Sequence, residues 1–105
     1  MKNVNGKYGF GFWDGMIYRP SGDKYEDFEQ FRNEIEKEKV IQHIESLPPA
    51  YACAYSKDLF TGELFNAGIY EDGLFVFPID FLRYYKTRDI GIPYEYEEYL
   101  KEILK

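Results

Sequence analysis

The sequence predicts an α+β domain, a small antiparallel sheet packed with helices. Three observations carry this. Ala50 to Pro78 divides into three short apolar runs separated by turn residues, a three-strand meander over about 51–78. Residues of about 24–47, 80–88 and 94–104 repeat their apolar positions with helical spacing. Over about 7–18, aromatic residues alternate with glycines as in an aromatic hairpin. The 105 residues fit one compact domain, 1–105, whose polar start over 1–6 is expected to fray.

In the first ribbon, Tyr8, Phe10 and Phe12 alternate with Gly9 and Gly11, and Asp14-Gly15 is a hairpin dipeptide. Met16, Ile17 and Tyr18 form the expected return strand. A phosphate-cradling glycine loop is disfavoured, since no strand–loop–helix context and no Lys-Ser or Lys-Thr pair follows. Asp23 or Ser21 can cap the next helix, with Glu26 and Asp27 at its positive end.

Within 24–47, Phe28, Phe31 and Ile35 fall on one side of a helical wheel. Val40, Ile41, Ile44 and Leu47 fall almost opposite. Two helices, or one sharply kinked near 37–39, account for this; a single helix meeting two surfaces is the alternative. Pro48-Pro49 ends the segment.

In the meander, Tyr51, Cys53 and Tyr55 alternate with Ala52 and Ala54, whose small face suits a closely packed helix. Asp58 and Gly62 punctuate the first turn. A two-residue turn at Asp72-Gly73 pairs Tyr70 with Phe75, Ile69 with Val76 and Gly68 with Phe77; a three-residue turn that includes Glu71 shifts the register. Both faces of Leu74–Phe77 are apolar, so this strand is expected to be central or covered on both sides. The helices are expected over one face and the aromatic ribbon over the other. Asp80 is a cap for the helix of about 80–88. The last helix carries a stripe of Tyr96, Tyr99, Leu100, Ile103 and Leu104 and an acidic first turn.

Function is less legible. A net charge of −6 opposes nucleic-acid backbones and anionic membranes, so neither is expected as a partner. One cysteine, Cys53, excludes an intrachain disulfide and reads as a small buried hydrophobe, in keeping with a cytoplasmic location. The start MKNVNGKYGFGF lacks the apolar core of a signal peptide. His43 is the sole histidine and no His/Cys cluster accompanies it, so no metal and no cofactor are expected; a boundary histidine is the favoured reading. Serines 21, 46 and 56 sit in no nucleophile elbow, and Cys53 with His43 is too general a pair to identify a catalytic centre. No catalytic residue is assigned.

Eleven tyrosines exceed what the core needs, so several are expected on the surface. They are densest beside acids at Tyr94, Glu95, Tyr96, Glu97, Glu98 and Tyr99. Two readings of that run stand: a solvated helix start whose tyrosines cover the core, or a partner-binding surface. The functional expectation is a small acidic, non-catalytic interaction protein of inhibitor or immunity type, steered by charge to a basic protein partner. The alternative is a small-molecule binder or minor enzyme with a pocket between the aromatic ribbon and the sheet, marked by Trp13, Tyr70 or Asp80. A homo-oligomer built on the excess aromatics is a third possibility.

Overall fold

A computed structural model gives the fold and describes residues 2–4, 6–13, 16 and 22–105. In chain order the elements are β1 (Lys2–Val4), β2 (Lys7–Gly9), α1 (Tyr25–Phe28), α2 (Lys37–Glu45), β3 (Ala50–Lys57), β4 (Leu64–Asp72), β5 (Phe75–Pro78), α3 (Ile79–Thr87) and α4 (Tyr94–Ile103). The α+β class is as the sequence predicts. The strands form one five-stranded sheet in the order β1-β2-β5-β4-β3. β5 is therefore the central strand, and all four of its residues are buried, as its two apolar faces require.

The sheet is mixed rather than antiparallel. β2 runs parallel to β5, with Tyr8 opposite Phe75 and Gly9 opposite Val76. Tyr8 N donates to Leu74 O at 2.8 Å and Phe10 N to Val76 O at 3.1 Å. This direction carries the chain from the end of β2 straight into the core. Phe10, Phe12 and Trp13 leave the sheet and are almost wholly buried. The ribbon is thus a neighbour of β5 in the sheet first, and only then a source of core side chains.

Its hairpin also differs from the one expected over 7–18. Lys2 pairs with Gly9 and Val4 with Lys7, so the hairpin lies over residues 2–9, with Gly6 at φ +82° in its turn. Residues 2–4, expected to fray, are held by these pairings. Asp14, Gly15, Ile17 and Tyr18 lie outside the described residues, as does Ser21. Trp13 makes a single parallel bridge to Asp23. Asp23 does not cap α1: its Oδ2 accepts from Gly11 N at 3.0 Å, and the N-cap is Lys24.

The segment of about 24–47 is two helices, α1 and α2, with residues 29–36 non-helical between them. The two opposed apolar faces were the sign of this break. Phe28 packs edge-on against Trp13 and Phe81, while Val40, Ile41 and Ile44 bury from α2.

The β4–β5 turn is one step later than expected. Asp72 pairs with Phe75 and Tyr70 with Phe77, so Gly73-Leu74 is the two-residue turn. Gly73 has φ +60° at the first turn position, as mirror-image hairpin turns require. The shift is even, so Tyr70, Phe75 and Phe77 still share one face and Ile69 and Val76 the other. Gly68 faces Tyr51 on β3 rather than Phe77.

The face bearing Phe75 and Phe77 meets Phe10, Phe81 and Tyr96. Phe10 is the hub: its ring lies 4.8 Å from Phe77, 5.1 Å from Phe81 and 5.1 Å from Tyr96. These centroid separations are those of favourable offset and edge-to-face pairs. They account for most of the aromatic content as packing.

Candidate functional site

β3 is the far edge of the sheet, and it is exposed along almost its whole length. Its register against β4 slips in the middle. Tyr51 faces Gly68 and Tyr55 faces Asn66, so Ala52, Cys53 and Ala54 stand opposite Ala67 alone. Extra residues on one strand bend it away from its partner. Ala52 and Ala54 are exposed rather than packed closely under a helix, contrary to expectation. They open on a cavity of about 370 Å3.

The cavity lies between β3–β4 and the side chains of Phe12 and Met16. Phe12, Met16, Ile69 and Pro78 supply its apolar walls, and Ala52, Ala54, Ala67 and Gly68 leave its volume free. Tyr51, Tyr55, Ser56, Lys57 and Asp80 complete the lining. Gly68 admits no Cβ, which would stand 2.6 Å from Ala50 O and 2.7 Å from Ile79 Cδ1.

Among the described residues Asp80 is the one carboxylate in the lining, and it is only 2% exposed. It occupies the first turn of α3 but not the cap position, which falls to Pro78. Its Oδ1 accepts from Ser56 Oγ at 3.2 Å. Burial pushes its carboxyl above the usual carboxylate range, opposed by its own backbone N–H, the Ser56 hydroxyl and the Arg83 charge. A buried carboxyl at the end of an apolar cavity favours a ligand that brings a donor or a positive charge to it.

The wall behind Asp80 is fixed by a second carboxylate. Asp58 Oδ2 accepts from Arg83 Nε at 2.8 Å, and its Oδ1 accepts from Phe60 N and Thr61 N at 2.8 and 2.9 Å. The Arg83 bond leads in holding Asp58 down to about 2, against the opposing effect of burial. Tyr84 Oη accepts from Leu59 N at 2.9 Å, so the β3–β4 turn is tied to α3 at two points.

Of the three pocket residues expected, only Asp80 lines the cavity. Trp13 packs among the rings of Tyr25, Phe28, Phe81 and Tyr84, with its indole Nε1 buried and unpartnered. Tyr70 shares the core face with Phe77.

The run Tyr94–Tyr99 does not form one surface. Tyr94, Glu95 and Glu98 are exposed, but Tyr96 and Glu97 are buried and Tyr99 is half-buried. On a helix these residues point all round the axis, and the core claims one side. Tyr96 and Tyr99 donate to the buried Asp72 at 2.7 and 3.1 Å. His43 Nε2 lies 2.8 Å from the same carboxylate, at the boundary position expected for it. Asp72 thus joins α2, α4 and the β4–β5 hairpin.

Glu97 has a structural task that the sequence did not reveal. Its carboxylate accepts from Glu34 N at 2.6 Å, Ile35 N at 3.0 Å and Asn33 Nδ2 at 3.1 Å. Burial alone would raise its pKa; these donors, with Lys101, outweigh it and hold the carboxyl below its ordinary value. Asn33 also bonds Ile92 N and O, which pins residues 33–35 against α4.

Cys53 is exposed rather than buried, because β3 is an edge and, among the described residues, no element covers it. The one His43 contact seen is its Nε2 on Asp72, at the junction of α2, α4 and the β4–β5 hairpin. Among the described residues no group of His, Cys, Asp or Glu could hold a metal ion, and no helix is long and apolar enough to cross a membrane. No family model matches the chain, and no curated protein or solved structure matches it at a significant level.

Proposed function

We propose that this protein binds a small apolar ligand carrying an amine head, in the cavity that Phe12 and Met16 form with β3–β4. The observation that carries this is Asp80: a buried carboxyl, hydrogen-bonded by Ser56, in the lining of a largely apolar cavity of about 370 Å3 whose other polar side chains are Tyr51, Tyr55, Ser56 and Lys57. That volume is within the range of small-molecule sites. The protein's net charge of −6 also favours a cation.

A competing reading, an acidic protein that occludes a basic partner, keeps the charge but loses much of its surface. Only Tyr94, Glu95 and Glu98 of the six-residue run remain available to a partner.

The test is a titration by amide NMR with phenethylamine and, in parallel, the uncharged phenethyl alcohol. The amine is expected to shift the amides of Ala52, Ala54 and Ala67 at lower concentration than the alcohol. Asp80→Asn is expected to remove the difference between the two. Equal weak shifts from both compounds, or shifts that survive Asp80→Asn undiminished, would refute the reading.

A further inference from the structure

The exposed edge strand supports a second conclusion that does not depend on the cavity's ligand. We infer that β3 pairs antiparallel with β3 of a second copy of this chain, about a two-fold axis through Cys53. Natural sheet edges are guarded by charge, proline, a bulge or a covering element. From Ala50 to Ser56 this edge has a bulge but neither charge nor proline, although the protein as a whole has a net charge of −6. Tyr51 and Tyr55 are each 66% exposed on it.

The sequence of the edge is a palindrome in character: Ala52 and Ala54, then Tyr51 and Tyr55, flank Cys53 symmetrically. A two-fold interface needs this self-complementarity. Pairing about Cys53 sets Tyr51 opposite the second copy's Tyr55 twice, and Ala52 opposite Ala54 twice. Aromatic cross-strand pairs stabilise such ladders. The nearest charge, Lys57, falls opposite the second copy's Pro49, so no like charges meet. The bulge lies on the axis, so both edges bend alike.

The area sets the strength. Four two-thirds-exposed tyrosines bring on the order of 500 Å2. With the strand edges and alanines, the total is on the order of 1,000 Å2, the lower limit for a specific interface. The pairing is therefore a reversible dimer that forms at raised concentration.

Cys53 reports it directly, because it is the chain's only cysteine and directly opposed strand residues have Cα atoms about 5 Å apart. The experiment combines sedimentation velocity up to several hundred micromolar with a short bis-maleimide cross-linker. The wild type is expected to dimerise with rising concentration and to give a covalent dimer that Cys53→Ser abolishes. Tyr51→Lys with Tyr55→Lys is expected to stay monomeric, since each lysine faces another. Tyr51→Glu with Tyr55→Lys is expected to restore the dimer through two opposite-charge pairs. Circular dichroism melts confirm that each variant folds. A wild type that remains monomeric throughout, a dimer indifferent to the double lysine variant, or a Glu/Lys variant no better than it, overturns the assignment.

Discussion

Asp58 shows how a single carboxylate can set the acid limit of the fold. Its pKa of about 2 lies below the ~3.9 of an unfolded aspartate. Depression in the folded state means that ionisation stabilises the fold. That contribution is fully present above pH ~4 and is lost as pH falls through about 2. Asp58→Asn keeps one acceptor oxygen but loses the charge that Arg83 faces. We expect it to cost about 1–3 kcal/mol at neutral pH. Urea midpoints at pH 7, 4 and 2 should show a shallower acid decline in the variant, by the part that Asp58 contributes. Glu97, also held below its ordinary value, supplies a second part that this variant retains. An unchanged acid decline would assign the whole effect elsewhere.

Residues 29–36 are governed from outside their own stretch of chain. Local spacing favours a break or kink within 24–47, because its two apolar groups point in opposite directions, but leaves open a single helix meeting two surfaces. Where the segment stays non-helical is decided by Glu97, which accepts the amides of Glu34 and Ile35 and so offers them an alternative to helical partners. Glu97→Gln places an amide NH2 against these donors. Hydrogen exchange at Glu34 and Ile35 is expected to accelerate roughly ten- to a hundredfold. Exchange at Phe77, in the central strand, should move far less. Equal acceleration at both sites would mean that Glu97 acts on global stability alone. The β4–β5 turn is governed in the same way: Asp72 stays in the ladder, its carboxylate held by Tyr96, Tyr99 and His43, and Gly73-Leu74 turns instead.

For the molecule as a whole, stability rests on the aromatic cluster around Phe10, which joins β2, β5, α1, α3 and α4. Phe10→Ala removes a wholly buried ring and is expected to cost about 3–5 kcal/mol. Single domains have a total stability of about 5–15 kcal/mol, so the variant should melt far lower or fail to fold at room temperature. A denaturant midpoint within a few tenths molar of the wild type would contradict the hub role. Tyr8→Ala, on a half-exposed ring beside Phe75, is the matched control with a small expected loss.

What the sequence determined by itself was whatever follows from local pattern. Period-two and helical spacing marked the strands and helices, two-sided apolarity marked β5 as central, and the conflicting faces of 24–47 marked a break. Asp80 was also marked, as one of three residues expected at a pocket. Only the tertiary structure decided the rest, because the deciding partners are far apart in the chain. β2 pairs parallel with β5 across more than sixty residues. Tyr96 and Glu97 turn inward because Asp72 and residues 33–35 await them. Cys53 is exposed because β3 falls at an edge, which no property of AYACAYS itself dictates. The cavity is the clearest case. Its alanines are plain in the sequence, but their meaning depends on a slipped register and on which element fails to cover them.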